Sequence, residues 1–144
     1  MSRKLMIVAG LAVSVIGIFI LSTNASAQVK KGKTRPAETK YLMRGIVQPN
    51  CASLGKMLKG DGPADDKAWE NAACHAACLN EVSFLLMSDG RCPDGKWAAA
   101  ASKTMRAGSA ATLAACEKKD LKAASAAFKQ MTQSCAACHK AHKK

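Results

Sequence analysis

The chain has 144 residues, with 22 Lys and Arg against 10 Asp and Glu and a formal charge of +12. That length fits one domain with a modest core, and so strong a positive balance suits nucleic acid, an anionic membrane or an acidic protein. Aromatic residues make up only 4% of the chain and no nucleic-acid motif is present, so nucleic acid is set aside and an acidic protein partner is favoured, with good solubility as the plain alternative.

Arg3 and Lys4 precede an unbroken apolar run from Leu5 to Leu21, followed by Ser22-Thr23-Asn24 and then Ala25-Ser26-Ala27. Basic, apolar and small-residue regions in that order predict a signal peptide over residues 1–27, cut after Ala27. The alternative is an uncleaved anchor, since the run is only slightly short for a span. The folded part is expected outside the cytoplasm, in the periplasm, with no stable membrane span after cleavage. Seven cysteines in an exported chain make disulfides available. Their odd number leaves at least one thiol free or paired between chains, and homodimer formation is left open.

Residues 28–36 (QVKKGKTRP) are basic and poor in apolar side chains, and read as a flexible basic leader. Residues 37–144 form the expected domain. A first helix spans about 37–59, with Met43, Val47, Cys51, Leu54 and Leu58 on one face; Pro49 should bend it or begin a new turn. Gly60-Asp61-Gly62-Pro63 ends it. A second helix spans about 64–88, opening on acids suited to a helix N-terminus, with a stripe of Ala72, Ala76, Leu79, Val82 and Leu86. A turn at 89–95 leads to a third helix over about 96–116, carrying Ala101, Met105 and Leu113 and weakened by Gly108 and Ser109. The fourth, about 121–141, has the stripe Leu121, Ala124, Phe128, Met131, Cys135, Cys138 and His142. No stretch alternates with period two. The fold class predicted is all-α, an antiparallel up-down-up-down four-helix bundle.

Near the end of the fourth helix stands Cys135-Ala136-Ala137-Cys138-His139, the C-x-x-C-H pattern of covalent haem attachment. Two thiols three residues apart reach the two vinyl groups of haem as thioethers, and the next histidine lies beneath the iron as proximal ligand. A thioredoxin-like redox pair would need a βαβ context, and a zinc site would need a second ligand pair; neither is evident. The mirrored stretch Cys74-His75-Ala76-Ala77-Cys78 lacks the order that attachment requires.

A C-x-x-C-H motif closing the last of four helices resembles the class II cytochromes c, the family of cytochrome c′ and its low-spin relatives. The residues that carry the likeness are "MLKG" (57–60) and "SCAACHKAHK" (134–143), and it covers about residues 38–143. Members commonly have an aromatic residue three after the haem histidine and then Arg or Lys; here His142 and Lys143 hold those places. The resemblance implies one covalent haem c, held by Cys135 and Cys138 with His139 as proximal ligand. In low-spin members a first-helix methionine is the sixth ligand, which makes Met43 the candidate here, against a plain core role.

Levels along regular helices put the haem beside about residue 45 on the first helix, 80 on the second and 103 on the third. Met87 and Met105 are weaker ligand candidates. Cys51 and Cys74 fall at one level, so a disulfide between them is considered; Cys51, Cys74, Cys78 and His75 are also considered as a zinc or copper cluster. The function expected is that of an exported mono-haem c-type cytochrome carrying single electrons between partners, with Lys140, Lys143 and Lys144 steering an acidic redox protein. The alternative is a cytochrome c′-like protein binding NO or CO at an open sixth position. No catalytic acid, base or nucleophile stands out, and the chain is not read as an enzyme.

Overall fold

The computed structural model describes residues 30–143, and these are helical in four stretches; among them no β-strand occurs beyond an isolated bridge between Lys31 and Glu38. Helix α1 runs through Thr39–Leu42, a π-helical turn at Met43–Val47, and Gln48–Met57. Helix α2 is Asp66–Met87. Helix α3 runs through Gly95–Ala98, a second π-helical segment at Ala99–Met105, and Arg106–Glu117. Helix α4 is Leu121–His142. The expected helices and breaks agree with these bounds to within a few residues. Among the described residues no helix is long and apolar enough to cross a membrane; the expected signal segment lies outside them.

Three of the helices begin in the same way. Asp65, Asp94 and Asp120 sit in extended backbone, and their carboxylates accept from the N–H groups of Ala68 (2.7 Å), Trp97 (2.9 Å) and Ala123 (2.9 Å). Each such cap is worth about 1 kcal/mol. Glu38 provides no side-chain cap for α1. The Thr39 backbone N–H and hydroxyl donate instead to the Lys30 carbonyl, each at 3.1 Å. Between α1 and α2 the chain turns through Gly62 at a φ of 77°, where a Cβ would also sit 2.7 Å from Leu121 Cδ1, so only glycine suits the position.

The core follows the predicted stripes. Leu54 and Leu58 of α1, Ala72, Ala76, Leu79, Val82 and Leu86 of α2, and Ala124 and Met131 of α4 are buried. The middle of α3, weak by propensity, has a tertiary explanation. Gly108 meets α4 so closely that a Cβ there would lie 2.7 Å from that of Met131. The buried hydroxyls of Ser109 and Thr112 are satisfied by the carbonyls one turn back, of Met105 and Gly108, both at 2.7 Å. Asn80 Nδ2 donates to Arg106 O at 2.9 Å, Arg106 Nε to Ser83 Oγ at 3.0 Å, and Trp97 Nε1 to Leu86 O at 2.9 Å. As α2 advances from 80 to 86, its partners on α3 recede from 106 to 97.

Pro49 begins a new turn, as expected, but the accommodation is a π turn rather than a break. A proline inside a helix lacks its N–H and crowds the carbonyl four residues back, here Gly45. The Gln48 N–H reaches back five residues to Met43 O, and Asn50 Nδ2 donates to Ile46 O at 2.7 Å.

The described part of the leader, residues 30–36, is held by contacts to the rest of the fold. Asp89, in the turn after α2, accepts from Thr34 N and Thr34 Oγ1 through Oδ1 and from Arg35 N through Oδ2, all at 3.0 Å. The guanidinium of Arg91, 2% exposed, donates to Ala37 O at 3.2 Å and lies 3.7 Å from the Asp89 carboxylate. An acceptor in the 89–91 turn and a buried cation beneath it fasten residues 30–38 across the start of α1.

Candidate functional site

A cavity of about 640 Å³ lies where α1 begins and α4 ends. Met43, Arg44, Val47 and Cys51 line it from α1, Trp97, Ala100, Ala101 and Met105 from α3, and Cys135, Cys138, His139 and His142 from α4. Helix α2 contributes Leu86, not the region near residue 80, so the site sits more than a turn closer to the bundle end than level arithmetic predicts. Both π-helical segments border it. A π turn holds an extra residue per turn and re-aims the side chains beyond it, and such turns gather at functional sites.

Spacing within α4 explains its share of the wall. Cys135, Cys138 and His142 recur at intervals of three and four and therefore share one face. His139 lies four residues after Cys135 and flanks that face. Met43 and Val47 of α1, four apart, look in from another side, both half-buried. The predicted site residues Cys135, Cys138, His139 and Met43 thus border one hollow.

The environment keeps these groups neutral. Burial, reinforced by nearby Cys135 and Asp94, pushes the Cys138 thiol up to about 11. Burial likewise raises Cys135, against a hydrogen bond with Ser134 that works the other way. Cys51 is raised by burial and then by Cys135, so a third thiol borders the motif. His139 is lowered by burial and then by Lys143, which favours a neutral imidazole with a free lone pair.

His142 occupies the place where the resembling family carries an aromatic ring, and it packs like one. Its ring meets Trp97 edge-on with centroids 5.4 Å apart. Its Nε2 lies 3.4 Å from Asp94 Oδ1, so the cap of α3 also faces the end of α4. The Asp94 carboxyl is held below the usual range by the Trp97 N–H, with burial opposing and His142 adding to the effect.

Among the described residues, no three His, Cys, Asp or Glu side chains converge on a point that could hold a metal ion. The cavity's imidazoles, thiols and thioethers are instead spread around its wall. The considered cluster of Cys51, Cys74, Cys78 and His75 is therefore not assembled. Nor is the Cys51–Cys74 disulfide: both thiols are free, Cys51 half-buried at the cavity and Cys74 exposed. The residue of α2 that faces α1 at this level is His75, whose Nδ1 is 2.8 Å from Asn50 Oδ1. Successive helical residues diverge by about 100°, so Cys74 points away when His75 points in.

Trp97 was not singled out from the sequence, although a lone large aromatic just after the Asp94 cap, in a chain so poor in aromatics, is a usable signal. Met105 proves to be a wall residue, whereas Met87 is not among those lining the cavity. No family model, curated protein or solved structure matches the chain.

Proposed function

We propose that this chain is an exported mono-haem c-type cytochrome of the class II kind that carries single electrons between redox partners. The observation that carries the reading is that C-x-x-C-H borders a large apolar cavity whose ligand groups are spread apart. That donor set suits a flat macrocycle anchored at several points and does not suit a bare ion. Contacts that run in opposite directions along α2 and α3, with short turns between packed helices, support the antiparallel up-down-up-down arrangement of such a bundle.

Cys135 and Cys138 would hold the haem as thioethers, with the neutral His139 imidazole as proximal ligand and Met43 as candidate for the sixth position. When bound, the haem supplies one-electron chemistry, its iron passing between ferric and ferrous states. The chain excludes water with Val47, Leu86, Trp97, Ala101 and Met105, and fixes the end of α4 through the contacts of His142 with Trp97 and Asp94. Lys40, Arg44 and Lys143 stand at the cavity, with Lys140 exposed on the same terminal turn. Six of the ten acids, Asp61, Asp65, Asp66, Glu70, Glu117 and Asp120, lie toward the other end. This polarity supports docking of an acidic partner at the cavity end.

A pyridine haemochrome spectrum of the purified chain is the first test, with covalent haem c expected and its absence ending the proposal. The reduced spectrum with and without carbon monoxide is the second. A far-red methionine–iron band lost in Met43→Ala is expected for electron transfer. Ready carbon monoxide binding without that band supports the gas-binding alternative, which the small side chains of Ala100 and Ala101 in the wall would accommodate.

A further inference from the structure

Five cysteines lie outside the C-x-x-C-H motif, and two differ from the rest. Cys116 is buried and Cys51 and Cys92 are half-buried, whereas Cys74 and Cys78 are exposed free thiols. They stand four residues apart in α2. The buried side chains of that helix are Trp69, Ala72, Ala76, Leu79, Val82, Ser83 and Leu86, so its helical period puts 74 and 78 together on the opposite, uncovered side. Glu70, one turn before Cys74, and Glu81, three residues after Cys78, are exposed on the same side.

Spacing decides what the two thiols can do together. Side chains at i and i+4 of a helix have Cβ atoms roughly 5–6 Å apart, while a disulfide needs about 3.5–4.5 Å. Helix α2 is continuous from Asp66 to Met87, so closing that gap means unwinding a turn. A soft cation between two sulfurs asks for a wider gap: with metal–sulfur bonds of about 2.3 Å, the sulfurs of a linear pair stand roughly 4.6 Å apart. Two rotamers leaning toward each other meet that distance from an i, i+4 pair. Zinc takes four ligands, and no third His, Cys, Asp or Glu joins the pair among the described residues. Thiolates select soft ions such as Cu(I), which two sulfurs satisfy.

We propose that Cys74 and Cys78 form a surface chelate for one Cu(I) ion per chain. Each thiol releases one proton, both sulfurs bond to the ion, and the product is a bis-thiolate of charge minus one; no electron moves. Glu70 and Glu81 flank the pair on this face, with Lys67 also exposed there two turns before Cys74, so it is the two thiolates themselves that supply the negative charge holding the ion. The site stands apart from the cavity and does not depend on the haem reading, since haem attachment consumes Cys135 and Cys138 alone.

The test is an anaerobic titration of the full chain with Cu(I) against a chromophoric Cu(I) chelator. One tightly held ion is expected at this pair, in addition to any that Cys135 and Cys138 take in a chain without haem, with affinity rising with pH because protons are released. Cys74→Ser and Cys78→Ser should each weaken binding about a hundredfold, the loss expected when a two-point attachment becomes one-point, while Cys92→Ser leaves it unchanged. Circular dichroism of the variants checks that these exposed substitutions keep the fold. Affinity unchanged in Cys74→Ser overturns the proposal. So does a non-reducing gel in which the chains are joined through Cys74 or Cys78 and take up no Cu(I).

Discussion

The two ends of this bundle are built from the same four helices and pack in opposite ways. Toward the α1–α2 turn, Leu54, Leu58, Ala72, Ala76, Cys116 and Ala124 are at most 8% exposed, and small side chains let the helices close on one another. Toward the start of α1 and the end of α4, α1 and α3 each pass through a π turn, and Met43, Val47, Ala100 and Cys138 border open space. Alanine is plentiful at both ends. Its effect depends on whether the neighbouring helix approaches, as at Ala76, or stands off, as at Ala100. A hollow in such a protein comes from helix trajectory, not from a change of composition.

The largest expected effect tests that contrast directly. Ala76→Leu forces three carbons into a closed contact and should destabilise the fold by about 3 kcal/mol, the upper part of the usual overpacking range. Ala101→Leu, whose side chain can extend into the cavity, should cost less than about 1 kcal/mol, read by urea unfolding, and under the haem proposal it should also lower the yield of covalent haem, read by haem stain. Equal losses at the two positions would remove the distinction between the ends.

Gly108→Ala should cost about 2 kcal/mol, because the added Cβ meets the Met131 Cβ and backbone at 2.7–3.2 Å and α3 and α4 must separate. Thermal melts check this, and an unchanged melting temperature would mean that the contact is slack. A smaller effect, about 1 kcal/mol, is expected for Trp97→Phe, which removes the bond from Nε1 to Leu86 O where the closed and open regions join. The fluorescence of the remaining Trp69 can follow its unfolding.

The smallest effect concerns the leader. Partial burial disfavours the Asp89 carboxylate, but the Thr34 and Arg35 bonds and the Arg91 charge outweigh it and hold the carboxyl below its ordinary value. A depressed folded value means the contribution is complete above the unfolded carboxyl value near pH 4 and fades as pH falls through the folded one. The protection of the Thr34 and Arg35 amides, taken relative to the intrinsic exchange rate at each pH, should therefore fall on acidification below about pH 4, or at neutral pH in Asp89→Asn, with the rest of the bundle unaffected. Exchange that ignores both changes would show that Asp89 does not hold the leader.

Much of this was legible in the residues. The aspartates before α2, α3 and α4 act through bonds to N–H groups three residues on, so local sequence suffices to place these starts. The stripe of α2 repeats every three or four residues and names its core face directly, whereas that of α4 names the buried Ala124 and Met131 together with half-buried residues around them. Cys135, Cys138 and His139 are joined by chain spacing, which holds in any helix. Other features depend on where separate segments meet. Asp89 gives no local sign that it grips Thr34 and Arg35, because its partners are more than fifty residues away. His75 and Cys74 share a level on α2, and only the facing of α1, fixed by Asn50, decides which one turns inward.

The sequence alone determined the number of helices, the acidic start of α2, most of the apolar faces and the C-x-x-C-H motif, since each follows from contacts within about one turn of helix. Tertiary structure decided the rest. The π turn before Pro49 has a proline to cause it, whereas the one at Ala99–Met105 has none and carries instead the Ser102 and Thr104 hydroxyls, which donate back to Ala98 O and Ala99 O. Both border the space that residues from all four helices, with Leu86 alone from α2, surround. A cavity is the volume that side chains leave unfilled, and that volume exists only once all of its walls are in place.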